Sequence, residues 1–304
     1  MGFCFKQKES VAKAIPRLGC ERVRRARECL EDCARPEAVH GARKEIKKAK
    51  ALLRLASESI SKKEFRSVRK SLRQAADSLA RARDASVRSD TLREVSRRFK
   101  KELPAGAFRK FRVQLRRASD KAMRQLVEKH KAESAAEYLQ KAESAFRKLT
   151  VENNGWNAIA PGVRKAYRRC QAAFAHAVKS EAAEDFHEWR KRAKDLWYQL
   201  TVLEHSWPEK IDRMACELET VGEYLGEDHD LFILQQSLEV LHAKNGHRNA
   251  REINALRKII QQRQAELRGK AIATGKYFYA EKPFEFCERL GSYWRAWQRG
   301  KKAG

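Results

Sequence analysis

Two stretches of this chain carry the same set of anion-binding side chains. In the first, His40, Arg43, Lys44, Lys47, Lys50 and Arg54 recur every three or four residues. Wound as a helix at about 100° per residue, they form one stripe, with Lys48 at its margin, while Ala42, Ile46, Ala49 and Leu53 face the other way. In the second, 147 positions later, His187, Arg190, Lys191 and Lys194 repeat the order. Tyr198 shares their side; Trp189, Ala193, Leu196 and Leu200 lie opposite. Arginine grips two oxygens of a phosphate at once, and lysine supplies a mobile point charge. Cations that return every turn, about 5.4 Å apart, suit a linear polyanion with regularly spaced charge. Like charges at i, i+4 (Arg43–Lys47, Lys44–Lys48, Lys50–Arg54) repel by a few tenths of a kcal/mol per pair. A chain keeps that cost for an anionic partner; a plain solvated face is the alternative. Two copies of H-x-x-R-K-x-x-K at matched phase, in halves of similar length, point to an internal duplication.

Other chemistries fit these residues less well. A metal held by paired histidines would have to sit among lysines and arginines that repel it, and no carboxylate recurs on that face. The histidines could instead be core residues bonded to a backbone carbonyl, but their phase with Arg and Lys favours a ligand-facing role. A phosphate-transferring or hydrolysing enzyme needs an acid cluster, a P-loop or an activated nucleophile, and no G-x-x-x-x-G-K-[ST] or H-E-x-x-H is present. We therefore expect no catalytic residue, no metal ligand and no cofactor. Asp84 and Asp230 read as helix caps or salt-bridge partners. Seven scattered cysteines, with Cys29 and Cys33 one turn apart but no CxxC, read as incidental thiols of a reducing cytosol.

The elements that must position these stripes follow from composition. With 304 residues, 14 Gly, 6 Pro and long A/E/K/L/R-rich runs, the chain reads as all-α. It is long enough for two bundles, expected over 1–150 and 151–304, the second ending in an aromatic tail. The net charge of +27 is concentrated early: 41 basic against 19 acidic residues up to position 150, and 26 against 21 after it. Such a field draws polyanions, with nucleic acid and an anionic membrane surface also compatible on charge alone. No run of 18 apolar residues and no apolar leader is found, so no membrane insertion is expected. Helices are expected over 8–33, from Glu37 through the first stripe, 62–83, 85–102 and 108–149 (one helix or two). Breaks are expected at Pro104-Ala105-Gly106 and at the midpoint turn Val151–Gly155. In the second half, Pro161 opens a helix to Ser180. The His187 helix stops near Ser206-Trp207-Pro208, and helices follow over 209–225, 229–243 and 248–272. An irregular Gly275–Phe286 stretch precedes a short terminal helix.

The duplication extends beyond the stripes. Arg17 and Arg164 each lie 23 residues before the motif histidine. Leu225-Gly226-Glu227-Asp228-His229-Asp230 matches Leu79-Ala80-Arg81-Ala82-Arg83-Asp84. Paired H-x-x-R-K-x-x-K helices, each followed by an L-[GA]-x-x-[RH]-D segment, resemble the CHAD family, the conserved-histidine α-helical domains, over roughly residues 8–275. The resemblance implies two pseudo-symmetric antiparallel helical bundles that bind inorganic polyphosphate. It assigns binding to His40, Arg43, Lys44 and Lys47 with His187, Arg190, Lys191 and Lys194. Lys50 and Arg54 continue the first stripe, and Arg17, Arg24, Arg164 and Arg168 on the preceding helices are weaker carry-overs. The two copies differ in charge at Arg81/Glu227 and Arg83/His229. Many relatives add an N-terminal CYTH triphosphatase with an E-x-E-x-K strand; here Glu217-x-Glu219 is followed by Val221 within a helix, so no fused catalytic domain is expected. The expected function is non-catalytic polyphosphate binding in the cytoplasm, at polyphosphate granules. A nucleic-acid-binding helical protein is the alternative, with weak nucleic-acid binding compatible with either reading, and a metal-dependent phosphate-processing enzyme comes behind it.

Overall fold

The computed structural model describes residues 2–103, 108–244 and 250–300 and is all-α. The described helices are α1 (Val11–Leu30), α2 (Pro36–Leu55), α3 (Lys62–Ser78), α4 (Ala80–Arg98), α5 (Arg109–Glu128), α6 (Lys131–Arg147), α7 (Gly155–Ser180), α8 (Ala183–Leu203), α9 (Pro208–Lys244), α10 (Ala250–Phe278) and α11 (Pro283–Gln298). Ser10 caps α1 by accepting from the Lys13 amide, and Ser61 caps α3 by accepting from Glu64. Pro36 opens α2, where a missing N–H costs nothing.

Several expected boundaries move. Leu79 is the hinge between α3 and α4, so Asp84 lies inside α4 and caps nothing. α9 runs unbroken through Leu225–Leu231, so Asp230 is likewise mid-helix. α7 begins at Gly155 and carries Pro161 within it. α10 continues through Gly275, leaving only a short link before α11. The 108–149 stretch is two helices, broken where His130 turns left-handed at φ 49°. The expected break at 104–106 falls outside the described residues.

Each half opens with a helical hairpin, α1–α2 and α7–α8; two helices, α3 and α4, follow the first and the single long helix α9 follows the second. One core runs through both halves, from Ile15, Leu18 and Ile46 to Trp189, Leu196 and Leu218. A second cluster joins α4 and α5 (Leu92, Phe111, Leu115) to α9 and α10 (Leu234, Leu256, Ile260). The chain start also crosses over: the Phe5 amide donates to the Val202 carbonyl at 3.1 Å, and its ring meets Trp294 edge-on. At the α2–α7 crossing Gly162 lies so near Leu55 that a Cβ there would fall 1.9 Å from the Leu55 carbonyl oxygen.

Candidate functional site

Four helices meet at the middle of the molecule in a closed ring of contacts: α2 with α8, α8 with α9, α9 with α4, and α4 with α2. The expected apolar stripes turn inward. Ala42, Ile46, Ala49 and Leu53 of α2, and Trp189, Ala193, Leu196 and Leu200 of α8, are all buried. Burying them leaves the opposite, cationic stripes turned toward the seam between the two halves.

The charges that act on Lys47 show how close the halves come. Its side chain keeps solvent contact, yet the protein around it, then Arg190, Arg43, Arg83 and Lys194, lower its pKa to about 8. Two of these cations belong to α8 and one to α4. The pKa of Lys194 is lowered by burial and by Arg190 and Lys44, against Glu219 and Glu223. Lys194 lies over the Trp197 ring at 4.1 Å. Gly222 of α9 makes room for it, since a Cβ there would stand 2.6 Å from the Lys194 Cε. Gly226, one turn on, would bring a Cβ to 3.3 Å from the Arg190 Nε. Arg43 is held differently, by donating from Nη1 to the Ala76 carbonyl of α3 at 2.7 Å.

The histidines sit inside this field. The pKa of His40 is lowered by loss of hydration and by Arg83, Lys47, Lys44 and Arg43. His187 stacks on His229 of α9, centroids 3.7 Å apart and planes 22° from parallel. Burial first, then Lys191 and Arg190, push His187 to about 4; burial, His187, Arg190 and Lys191 push His229 to about 4. His187 Nδ1 and Arg190 Nε are buried with no hydrogen-bond partner. A buried polar atom left unpaired costs about 1–3 kcal/mol. Asp230 is the acid that faces cations of both halves. Burial raises its pKa, while Arg190, Arg83 and Lys47 pull it down.

The structure thus gathers His40, Arg43, Lys44, Lys47, His187, Arg190, Lys191 and Lys194, and adds Arg83, His229 and Asp230. Arg83 and His229 were visible only as an unequal pair in the repeated L-[GA]-x-x-[RH]-D segment, and its shared aspartate, Asp230, read as a cap or salt-bridge partner. Lys191 is exposed and also pairs with Glu188. Lys50 lies further along, beside Arg54, Asp77, Arg43 and Arg73, its pKa lowered to about 8 mainly by burial. Tyr198 is buried rather than surface-facing, and that burial pushes its hydroxyl up to about 12.

Other expected site residues stand elsewhere. Arg54 forks onto Asp195 of α8, with contacts of 2.5 to 2.9 Å, and so joins the halves as a structural pair. Arg17 is bound by Glu9 at 2.5 Å and Glu21 at 3.1 Å. Arg164 lies by Cys287 of α11, and Arg24 pairs loosely with Glu28. Arg168 is exposed on α7. Neither Arg24 nor Arg168 is among the principal charges acting on the seam histidines and lysines.

Seven cations, outnumbering Asp230, Glu188, Glu219 and Glu223 beside them, and two stacked imidazoles favour an anion with many charges. Among the described residues no group of three or more His, Cys, Asp or Glu side chains comes together as metal ligands would. None of the described helices is long and apolar enough to cross a membrane.

The family model described as the CHAD domain matches residues 19–239. A crystal structure of the CHAD domain from the plant Ricinus communis shares the fold, with a TM-score of 0.59 at 16% identity, over 89% of this chain and 91% of that one. No curated protein matches the chain in sequence.

Proposed function

This chain belongs to the CHAD family, and from that membership and the geometry of the seam we propose that it binds inorganic polyphosphate without chemically altering it. The observation that carries the proposal is the surroundings of Lys47: cations from α2, α4 and α8 share one place with too little counter-charge to neutralise them. A bound polyanion relieves that repulsion. A single row of phosphates laid along the seam meets cations at each turn of α2 and α8, about 5.4 Å apart. His187 and Arg190, whose buried nitrogens lack partners, sit where such a chain passes. Because the attraction is electrostatic, log affinity falls linearly with log salt, as in counterion release from nucleic acids. The proposed setting is the cytoplasm, at polyphosphate granules.

The test is equilibrium binding of long-chain polyphosphate to the parent protein and to Lys47→Gln/Arg190→Gln. Each change removes a seam cation from a different half. We expect a loss of about tenfold or more and a shallower salt slope. Unchanged affinity in a folded variant refutes the seam. Release of phosphate that co-purifies with the protein refutes the non-catalytic part of the proposal.

A further inference from the structure

The seam uses few of the first half's cations. The largest remaining group of unpaired cations on one helix is on α5, where Arg109, Lys110, Arg112, Arg116, Arg117, Lys121 and Arg124 are all exposed. Among the described residues none of the seven forms an ion pair. The neighbouring helix behaves differently: on α4, Arg93 pairs with Asp90, Arg97 with Glu94 and Arg98 with Glu227. Four cations of α10 are paired too, as Arg257–Glu239, Arg263–Glu227, Arg268–Asp228 and Lys270–Glu266. α5 keeps its like-charge pairs Arg112–Arg116 and Arg117–Lys121 without relief, at a cost of a few tenths of a kcal/mol each.

Their arrangement around the helix is informative. Phe111, Leu115, Ala122, Met123 and Leu126 bury one side. At about 100° per residue, the cations fall into two rows, Arg109, Arg112 and Arg116 along the edge of the buried side next to Met123, and Lys110, Arg117, Lys121 and Arg124 along the far flank. Val113, 44% exposed, and Asp120 lie between the rows. α5 packs chiefly on α4, with a smaller contact to α6, so this side is open. A single thread of phosphates would meet one row only. Two rows flanking a helix about 10–12 Å across match the two phosphate walls of a B-DNA major groove about 12 Å wide. Val113 would then face the groove floor, where thymine methyls accept apolar contact, and Asp120 would face cytosine amino donors. The side has no aromatic or leucine anchor of the kind that seats a helix in a lipid surface.

We propose that α5 is a second binding surface, separate from the seam, which enters the major groove of duplex DNA and holds it mainly through its phosphates. Binding is measured for a duplex of about 20 base pairs, an RNA duplex of equal length, and phosphatidylserine-containing vesicles. The proteins are the parent chain and Arg112→Gln/Arg116→Gln/Arg117→Gln/Lys121→Gln. These four side chains are exposed, so the variant should keep the fold, and thermal unfolding checks this. We expect the variant to lose DNA affinity by about 30-fold or more and its salt slope to fall by roughly 3 to 4, while polyphosphate affinity changes by less than about threefold. The RNA duplex, whose major groove is too deep and narrow for a helix, should bind the parent at least about tenfold more weakly than DNA. Unchanged DNA affinity in the variant overturns the proposal. So does equal binding of the RNA duplex, which means charge alone, or α5-dependent binding of vesicles in place of DNA. A variant that loses polyphosphate as fully as DNA also overturns it, because the two surfaces are then one.

Discussion

On the proposed function, the stacked pair His187–His229 should make polyphosphate affinity rise as pH falls. In the free protein both rings are held at about 4. The groups that face them are Lys191, Arg190 and Glu188 of α8 and Lys47 of α2. A polyanion laid on this cluster reverses the local field and raises the pKa. With the rings 3.7 Å apart, two adjacent positive charges are disfavoured, so the pair takes up one proton. If the bound anion restores the ordinary value of about 6.5, affinity rises roughly 30-fold, or about 2 kcal/mol, between about pH 7.5 and pH 5. The sign follows from linkage: binding takes up a proton, so affinity grows as pH falls through the bound-state pKa and levels off below the free one. Lys47, at about 8 in the free protein, is protonated across most of this range and adds little there. The assay is a titration with end-labelled polyphosphate at constant ionic strength, for the parent and for His187→Gln/His229→Gln. Calorimetry in buffers of different ionisation enthalpy counts the protons. The variant should lose most of the pH dependence, leaving the part due to His40 and to the chain-end phosphates. A variant with the parent's full pH dependence, or affinity that falls on acidification, refutes the reasoning.

Three further outcomes are expected. Arg54→Ala should lower stability by about 1 kcal/mol in urea unfolding, modest because the pair is partly exposed, yet leave polyphosphate affinity within about twofold; a large affinity loss would return Arg54 to the site. Gly162→Ala should destabilise the fold by about 3 kcal/mol or more, because the new Cβ meets the Leu55 carbonyl rather than a side chain that can swing away; near-parental thermal unfolding would show that α2 and α7 can separate there without cost. Raising the pH from about 8 to 10 should weaken polyphosphate binding as Lys47 and Lys50, both held near 8, lose their protons first; Lys47→Arg, which keeps its charge, should blunt that decline, and an identical decline in the variant would count against Lys47.

Much of the site was legible from periodicity. The stripes of α2 and α8 lie where their phase places them because Ala42, Ile46, Trp189 and Leu196 can be buried only if the cations turn outward. Periodicity says nothing about partners far off in sequence, which is why Arg54 read as a ligand: Asp195 stands 141 residues away. Arg17, by contrast, is held by acids close in sequence, Glu9 and, one turn on, Glu21. The gap expected between the helices over 209–225 and 229–243 includes Gly226, and glycine within a helix costs about 1 kcal/mol. Packing overrides that cost, because Gly222 and Gly226 let Lys194 and Arg190 lie close against α9. Arg83, His229 and Asp230 escaped because they come from helices without a stripe of their own; only the fold brings α4 and α9 to the seam.

The most direct test asks which lysines a bound chain touches. Polyphosphate activated at its phosphates as an imidazolide forms phosphoramidate bonds with neighbouring amines, and peptide mass spectrometry reads the labelled positions. Lys47, lowered to about 8, and Lys194, also lowered, are the most reactive amines of the seam and come from different halves. The account predicts label on both at low stoichiometry, linked by one chain and suppressed together by excess unactivated polyphosphate. Label that avoids both and gathers on Lys110 and Lys121 of α5 would contradict it.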